Sequence, residues 1–325
     1  MRGTQPVRIA NKRVSFKFEL HMSVTIVKGD SGPGKTTLYE LISSHTRLGD
    51  ASGVTIQCAK PCVALVDLDW ENQLSTTRDS IVFIDEGRSY LVTEEFAAAI
   101  QKTDNYFVIF TQEDLHNLPY SIDEIYRIKT SGKRYHTFVK LYKSNEQHVY
   151  SMVPRRKGPS EYDTLLTEDS KAGFQFYESH FKDTDVTCET AGNNSGIYKR
   201  LDGNQGESVF VVADGAAFGA EADRVLKLQS LYASSVSVCL PESFEWFLLK
   251  SGLVDAPDLE NVLADASEYV ESGEYFSWEQ FYTAYLQDNT QGTAFRYSKK
   301  KLPEPFKIPE NAARILSEIA TGIIR

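Results

Sequence analysis

Long apolar runs are missing from this chain of 325 residues. No stretch of ~18 apolar residues occurs, so no membrane-spanning helix, and no membrane partner, is expected. Cysteine is scarce, at four residues, too few for a disulfide framework, and a reducing cytoplasmic setting is the expectation. There is no basic surplus: 35 Lys and Arg stand against 45 Asp and Glu, a net charge of -10. That argues against a protein that wraps nucleic acid along its whole surface. The deficit is uneven. Residues 1–150 hold 18 basic and 18 acidic side chains, and residues 151–325 hold 17 and 27, so the second half carries all of it. Internal repeats and low-complexity segments are also absent. The opening MRGTQPVRIANKRVSF is polar and basic and has no apolar core, so no secretory signal is expected in it.

The remaining composition, 41% hydrophobic and 25% charged, is that of a globular protein, and the length allows two domains. Buried strands are expected at Val24–Val27, Cys62–Val66, Ile81–Ile84 and Tyr106–Phe110, with helical stretches at Lys35–Ser44 and Glu94–Thr103. That alternation predicts an α/β fold with a parallel sheet covered on both faces. Val7–Ala10 and Val14–Leu20 predict an antiparallel pair at its edge, and Thr137–Tyr142 a further strand. Residues 146–172, punctuated by Pro154, Gly158 and Pro159, read as a connection between domain 1–145 and a smaller α/β domain at 173–255. In the latter, Val186–Glu189, Ser208–Ala213 and Ser235–Leu240 read as strands, and Phe174–Phe181, Ala220–Tyr232 and Phe244–Ser251 as helices. Residues 256–325 read as a mostly helical extension.

The strongest chemical signal is Gly29-Asp30-Ser31-Gly32-Pro33-Gly34-Lys35-Thr36, followed by Thr37. It fits G-x-x-x-x-G-K-[ST] at each fixed position and stands between a strand and a helix. Glycines let backbone amides approach a phosphate, and the helix N-terminus presents its positive end to the charge. Lys35 would reach the β- and γ-phosphates, and Thr36 would offer a hydroxyl to Mg²⁺. A second signal is Ile81-Val82-Phe83-Ile84-Asp85-Glu86, a buried strand delivering two carboxylates to the end where such a loop sits. Asp85 is then the candidate Mg²⁺ ligand and Glu86 the group that polarises a water. A third strand ends in Thr111-Gln112, with Gln112 the candidate γ-phosphate sensor and Thr111 the alternative.

These motifs resemble those of P-loop NTPases, and the antiparallel edge pair with the Asp-Glu pair resembles ABC-type and overcoming-lysogenization-defect (OLD) ATPases. The resemblance covers residues 7–142 and implies a Mg²⁺-dependent ATPase. No guanine-reading Asn/Thr-Lys-x-Asp motif is present, which favours ATP. Leu74-Ser75-Thr76-Thr77 is weakly similar to an ABC signature, and Arg78 and Arg88 flank the Asp85 strand, where an arginine finger or a solvated arginine would each fit.

Residues 185–250 resemble a Toprim domain, which places a Glu after one strand and Asp-x-Asp after another. Glu189 stands where the Glu is expected, and Asp214-Gly215-Ala216 matches the second element only at its first position. The resemblance implies a second Mg²⁺ site on Glu189 and Asp214, with Glu221 or Glu242 as an added ligand, or else a degenerate scaffold lacking it. The combined resemblance implies an ATPase whose nucleotide state controls the second domain, in a mobile-element or anti-phage system. Two alternatives stay open: an ATP-gated nuclease acting through Glu189 and Asp214, and a nucleotide-dependent scaffold recruiting an effector. A homo-oligomer or a partner effector protein is implied alongside the nucleotide.

Three smaller features complete the reading. Cys58 and Cys62 lie four apart without a second ligand pair, so buried thiols rather than zinc are expected. Arg155-Arg156-Lys157 and Lys299-Lys300-Lys301 are the basic runs that could meet nucleic-acid phosphates, although solvated loops are the commoner use. The aromatic stretch Tyr275–Tyr285 has helical spacing and is expected in a core or an interface.

Overall fold

The computed structural model describes residues 1–29, 34–66, 69–143, 149–150, 162–204 and 206–319. Asp30, Ser31, Gly32 and Pro33 of the glycine-rich loop, and the run Arg155-Arg156-Lys157, lie outside the described residues. The chain forms two compact units: Met1–Tyr142 with Asp265–Ser277, and Lys143–Ala264 with Trp278–Arg325. The stretch 256–325 is therefore divided, part of it belonging to the first unit. There the Met1 ammonium bonds Ser272 Oγ at 2.9 Å, and Ser272 Oγ reaches Asp104 O at 2.7 Å.

The first unit contains strands β1 (Gln5–Ala10), β2 (Ser15–Leu20), β3 (Val24–Val27), β4 (Thr55–Gln57), β5 (Cys62–Ala64), β6 (Ile81–Ile84), β7 (Tyr106–Phe110), β8 (Ile125–Ser131) and β9 (Tyr135–Lys140). They form one sheet in the order β4-β1-β2-β9-β8-β3-β7-β6-β5. From β8 to β5 all neighbours run parallel. The other half is mostly antiparallel, with β1 pairing β2 and β4, and β8 pairing β9. The two halves differ in sequence as they differ in burial. Strands β3, β6 and β7 are buried at every residue, as parallel strands covered on two faces must be. Strand β1 alternates, with Val7 and Ile9 buried and Pro6 and Arg8 exposed, because only one of its faces is covered.

The cover is α1 (Lys35–Leu48), whose Leu38, Leu41 and Ile42 recur at helical spacing and pack with Val7, Ile9, Phe16, Phe18, Phe83 and Val108. Leu38 and Ile42 are fully buried, worth roughly 1.5–3 kcal/mol each against exposure. The helix stops at Gly49, whose φ of 55° a side chain would resist.

The second unit has a five-stranded sheet made of β10 (Val149–Tyr150), β11 (Thr164–Thr167), β12 (Thr187–Thr190), β13 (Val209–Val212) and β14 (Val236–Cys239), in the order β10-β14-β13-β11-β12. All its pairings are parallel except β10 with β14. Helices α2 (Trp70–Thr76) and α3 (Glu94–Ile100) belong to the first unit; in the second, α4 (Ala172–Phe181), α5 (Asn194–Asp202), α6 (Gly219–Leu231) and α7 (Phe244–Lys250) alternate with the strands, and α8 (Leu259–Ala264), α9 (Trp278–Thr290) and α10 (Pro309–Glu318) follow. Phe281 and Tyr282 of α9 are buried, as their helical spacing suggests.

One expectation changes here, and it bears on the expected Glu189–Asp214 site. The stretch read as a connection carries β11, which lies between β12 and β13. The strands bearing Glu189 and Asp214 are therefore not neighbours. Strand β12 is the edge, half-exposed along its length, whereas β11 is buried throughout.

Candidate functional site

Parallel pairing fixes the geometry of the first unit. Strand β7 lies between β3 and β6, with Val27 opposite Phe110 and Ile84 opposite Ile109. The C-terminal ends of all three strands thus reach one sheet edge, bringing Gly29, Lys35, Asp85, Glu86, Thr111 and Gln112 together. Gly29 has φ 144°, a backbone state that glycine tolerates and other residues avoid. A Cβ on Gly34 would stand 3.1 Å from Ile128 Cδ1 and Cγ2, a tight contact in which a side chain would press on Ile128 of β8. Thr36 is exposed and Thr37 half-exposed, leaving the Thr36 hydroxyl open to a ligand.

The Lys35 side chain is 6% exposed. Its Nζ donates to the Gly29 carbonyl and lies 3.2 Å from Glu86 Oε2. A buried ammonium is tolerated only with such partners. Glu86 Oε2 is sealed from solvent yet has no hydrogen bond; the lysine meets it as a charge, without bonding geometry. Asp85 is held by Arg88 at 3.3 Å. Both acids are therefore balanced by the site's own cations. Arg88 also lies 6.0 Å from the centre of the Tyr39 ring. Arg78, by contrast, donates to Leu74 O and Thr77 O, closing the end of α2 (Trp70–Thr76); it is not aimed at this site. Leu74 is core.

Of the two sensor candidates, Thr111 is buried and its hydroxyl is used by the turn, accepting from Glu113 N at 2.9 Å. Gln112 is exposed and, with Glu86, Arg88 and Ser89, lines a 340 Å³ cleft. The residues present fit a nucleotide with its Mg²⁺: a cation for phosphate, a free hydroxyl, two carboxylates and an unbonded buried carboxylate oxygen.

The second unit holds a different cluster. Asp214, just beyond β13, accepts from Phe244 N at 3.0 Å. Around it stand Glu168, Glu245 and Glu279, and the Lys299 ammonium sits among the acids. It lies 3.8 Å from Asp214, 3.7 Å from Glu245, and is hydrogen bonded to Glu279. Glu245 is 1% exposed; Tyr297 donates to its Oε1 at 2.7 Å while its Oε2 has no hydrogen bond. Glu168 follows β11, and its sealed Oε2 also has none. Burial, with the Glu279 charge second, pushes the Glu168 carboxyl up to about 7. Burial raises Asp214 well above the ordinary range, and Lys299 draws it back.

Glu189 does not join this cluster. It bonds Arg200 Nε at 2.9 Å, and Arg200 also reaches Glu207. Glu221 is taken by Arg224 and by Ser195 at 2.8 Å. Among the described residues no group of three or more His, Cys, Asp or Glu side chains is arranged to hold a metal ion. The Glu189–Asp214 site is thus not assembled, because β11 separates their strands. Glu168 stands near Asp214, on the strand next to β13; its TLLT strand offers only two leucines between threonines before Glu168-Asp169, a far weaker signal than the IVFI run before Asp85. Ala216 is buried, and the backbone is tight: a Cβ on Gly215 would meet Leu240 O at 2.7 Å. Lys299 is an internal counter-ion rather than part of a nucleic-acid-binding run; Lys300 and Lys301 are exposed. Cys58 and Cys62 are free thiols; a hydrogen bond from the Cys62 thiol lowers Cys58 to about 6.

Neither protein-family models nor curated proteins yield a match to this chain.

Proposed function

We propose that the first unit binds ATP with Mg²⁺ and hydrolyses it. The observation that carries the reading is the placement of Lys35 between the Gly29 carbonyl and Glu86, at the edge where β3, β7 and β6 all end. On nucleotide binding the ammonium exchanges these partners for the β- and γ-phosphates. That exchange releases Glu86 to accept a proton from the attacking water. Gln112 would contact the γ-phosphate from β7. Thr36 and Asp85 would hold Mg²⁺, which supplies charge neutralisation at the phosphates. Lys35→Ala tests the assignment by calorimetric titration with ATP and Mg²⁺. Affinity should fall at least tenfold with the fold retained, whereas unchanged affinity in a folded variant would reject the phosphate-loop reading.

For the second unit, the scaffold reading is favoured over the nuclease by one observation: the Lys299 ammonium stands among the carboxylates where a nuclease would need a divalent cation. The unit is then a Toprim-like body without its own cleavage chemistry, responding to nucleotide state and recruiting an effector, in keeping with a defence or mobile-element role. Incubation of the full chain with DNA and RNA in Mg²⁺ or Mn²⁺, with and without ATP, tests this; cleavage that persists in a Glu168→Gln, Asp214→Asn variant would point to a contaminant, and cleavage lost with it would refute the scaffold reading.

A further inference from the structure

The outer face of the antiparallel half-sheet carries a row of cations that no feature of the proposed ATPase uses. In register, Arg8 of β1 stands opposite Gln57 of β4 on one side and Lys17 of β2 on the other. Strands β2 and β9 pair in parallel at Ser15–Tyr135 and Phe16–His136, and one more residue of that register places Thr137 beside Lys17. Thr137 is in turn opposite Lys129 of β8. Gln57, Arg8, Lys17, Thr137 and Lys129 therefore form one transverse row across five strands, and all of them line a single groove of 1110 Å³.

Three properties separate this row from an ordinary solvated face. Arg8 and Lys17 are like charges directly opposite each other, an arrangement that destabilises an antiparallel pair. Neither they nor Lys129 has a salt bridge among the described residues. The acids in the groove do not balance them: Glu19 is its lone carboxylate, and Lys140 is already paired with Asp123 at 3.1 Å. In a chain of net charge -10, such a concentration of unpaired cations is a specific local feature. Beside the row, Tyr135 is 57% exposed, its ring 5.9 Å from the Arg134 guanidinium.

We propose that this groove binds a single strand of nucleic acid, its phosphates on Arg8, Lys17 and Lys129 and a base on Tyr135. Adjacent strands are ~5 Å apart, so the cations fall about 5 and 10 Å from one another along the row. Those intervals suit phosphates of an extended strand crossing the sheet. An exposed aromatic beside a basic track is the platform that sequence-tolerant single-strand binders use. The inference is independent of the ATPase reading, since none of these residues lies at the nucleotide edge.

The test is fluorescence anisotropy of a labelled oligothymidylate with the full chain over a series of salt concentrations. Three phosphate contacts predict a slope of log K against log salt of about -2. Lys17→Gln should flatten that slope by about 0.7, and because it relieves the Arg8–Lys17 repulsion it should leave the melting temperature equal or higher. Tyr135→Ala should lower affinity about fivefold or more with the slope unchanged. The combined Arg8→Gln, Lys17→Gln, Lys129→Gln variant should lose binding while its thermal melt is retained. Undiminished binding by that folded variant, or no binding by the wild type, would overturn the proposal. So would displacement of the oligonucleotide by polyglutamate at equal charge concentration, which would identify an acidic peptide as the occupant.

Discussion

Replacing Lys299 by Met keeps the length and apolar stem of the side chain and deletes its charge, so it isolates the electrostatics of the second unit. The ammonium lies 3.8 Å from Asp214 and 3.7 Å from Glu245, and bonds Glu279. With an effective dielectric constant of ~20, each of the first two pairs attracts by roughly 4 kcal/mol before desolvation is counted. Desolvating an ammonium costs several kcal/mol, which brings the net to the ~3–5 kcal/mol typical of removing one partner from a buried ionic cluster. The loss must depend on pH. At pH 8 the variant leaves like charges crowded in a site that is largely closed to solvent. At pH 5.5 Glu168, whose carboxyl burial pushes up to about 7, takes up a proton and relieves part of the repulsion, and burial shifts Asp214 in the same direction. The expected outcome is a destabilisation of about 3–5 kcal/mol at pH 8, falling by about half or more at pH 5.5. Urea unfolding at both pH values measures it, and hydrogen exchange with mass spectrometry assigns the loss to the second unit. Adding Glu245→Gln should recover part of the loss, because it removes a fully buried charge that has lost its cation. An equal loss at the two pH values, or a loss below ~1 kcal/mol, would show that Lys299 is a solvated bystander and refute the counter-ion account.

Three other outcomes are expected. Glu86→Gln should keep ATP affinity and lower turnover ~10²–10⁴-fold, measured by phosphate release; equal rates would move the water-activating role elsewhere, to Gln112 first. Glu124, buried and hydrogen bonded by Thr25 and Tyr126, is pushed up to about 7 by burial, as Glu168 is. The folded state then keeps a proton that the unfolded state releases near 4.5, so stability should fall as pH rises from about 4.5 to 7. Each group contributes up to ~3 kcal/mol to that fall, and Glu124→Gln should flatten the curve for the first unit in denaturant titrations. Gly34→Ala should weaken ATP binding by pressing on Ile128, and Ile128→Val should restore part of the affinity, a coupling of ~0.5–3 kcal/mol in a double-mutant cycle.

Strands with a contiguous apolar run were legible in the sequence. Those ending at Val27, Ile84 and Phe110 each carry their own signal, and parallel pairing alone brings their ends to one edge. Two of the short strands, β4 and β11, were not legible. Strand β4 is a half-exposed TIQ, and β11 is a TLLT that follows a Pro- and Gly-punctuated stretch, so neither length nor period marked it. Missing β11 had a consequence: Glu189, on the strand after it, was expected to share a site with Asp214, whereas β11 lies between the two strands and brings Glu168 there instead. Counter-ions were the least legible of all. Lys299 reads as the first member of a solvated lysine triplet, yet tertiary contact makes it the internal cation of four acids. Arg8 and Lys17 read as unremarkable alternating polar positions, and only the antiparallel register sets them face to face. Whether a charge is compensated is a property of neighbours in space, so the sequence can propose a carboxylate for a metal while the structure decides what cation stands beside it.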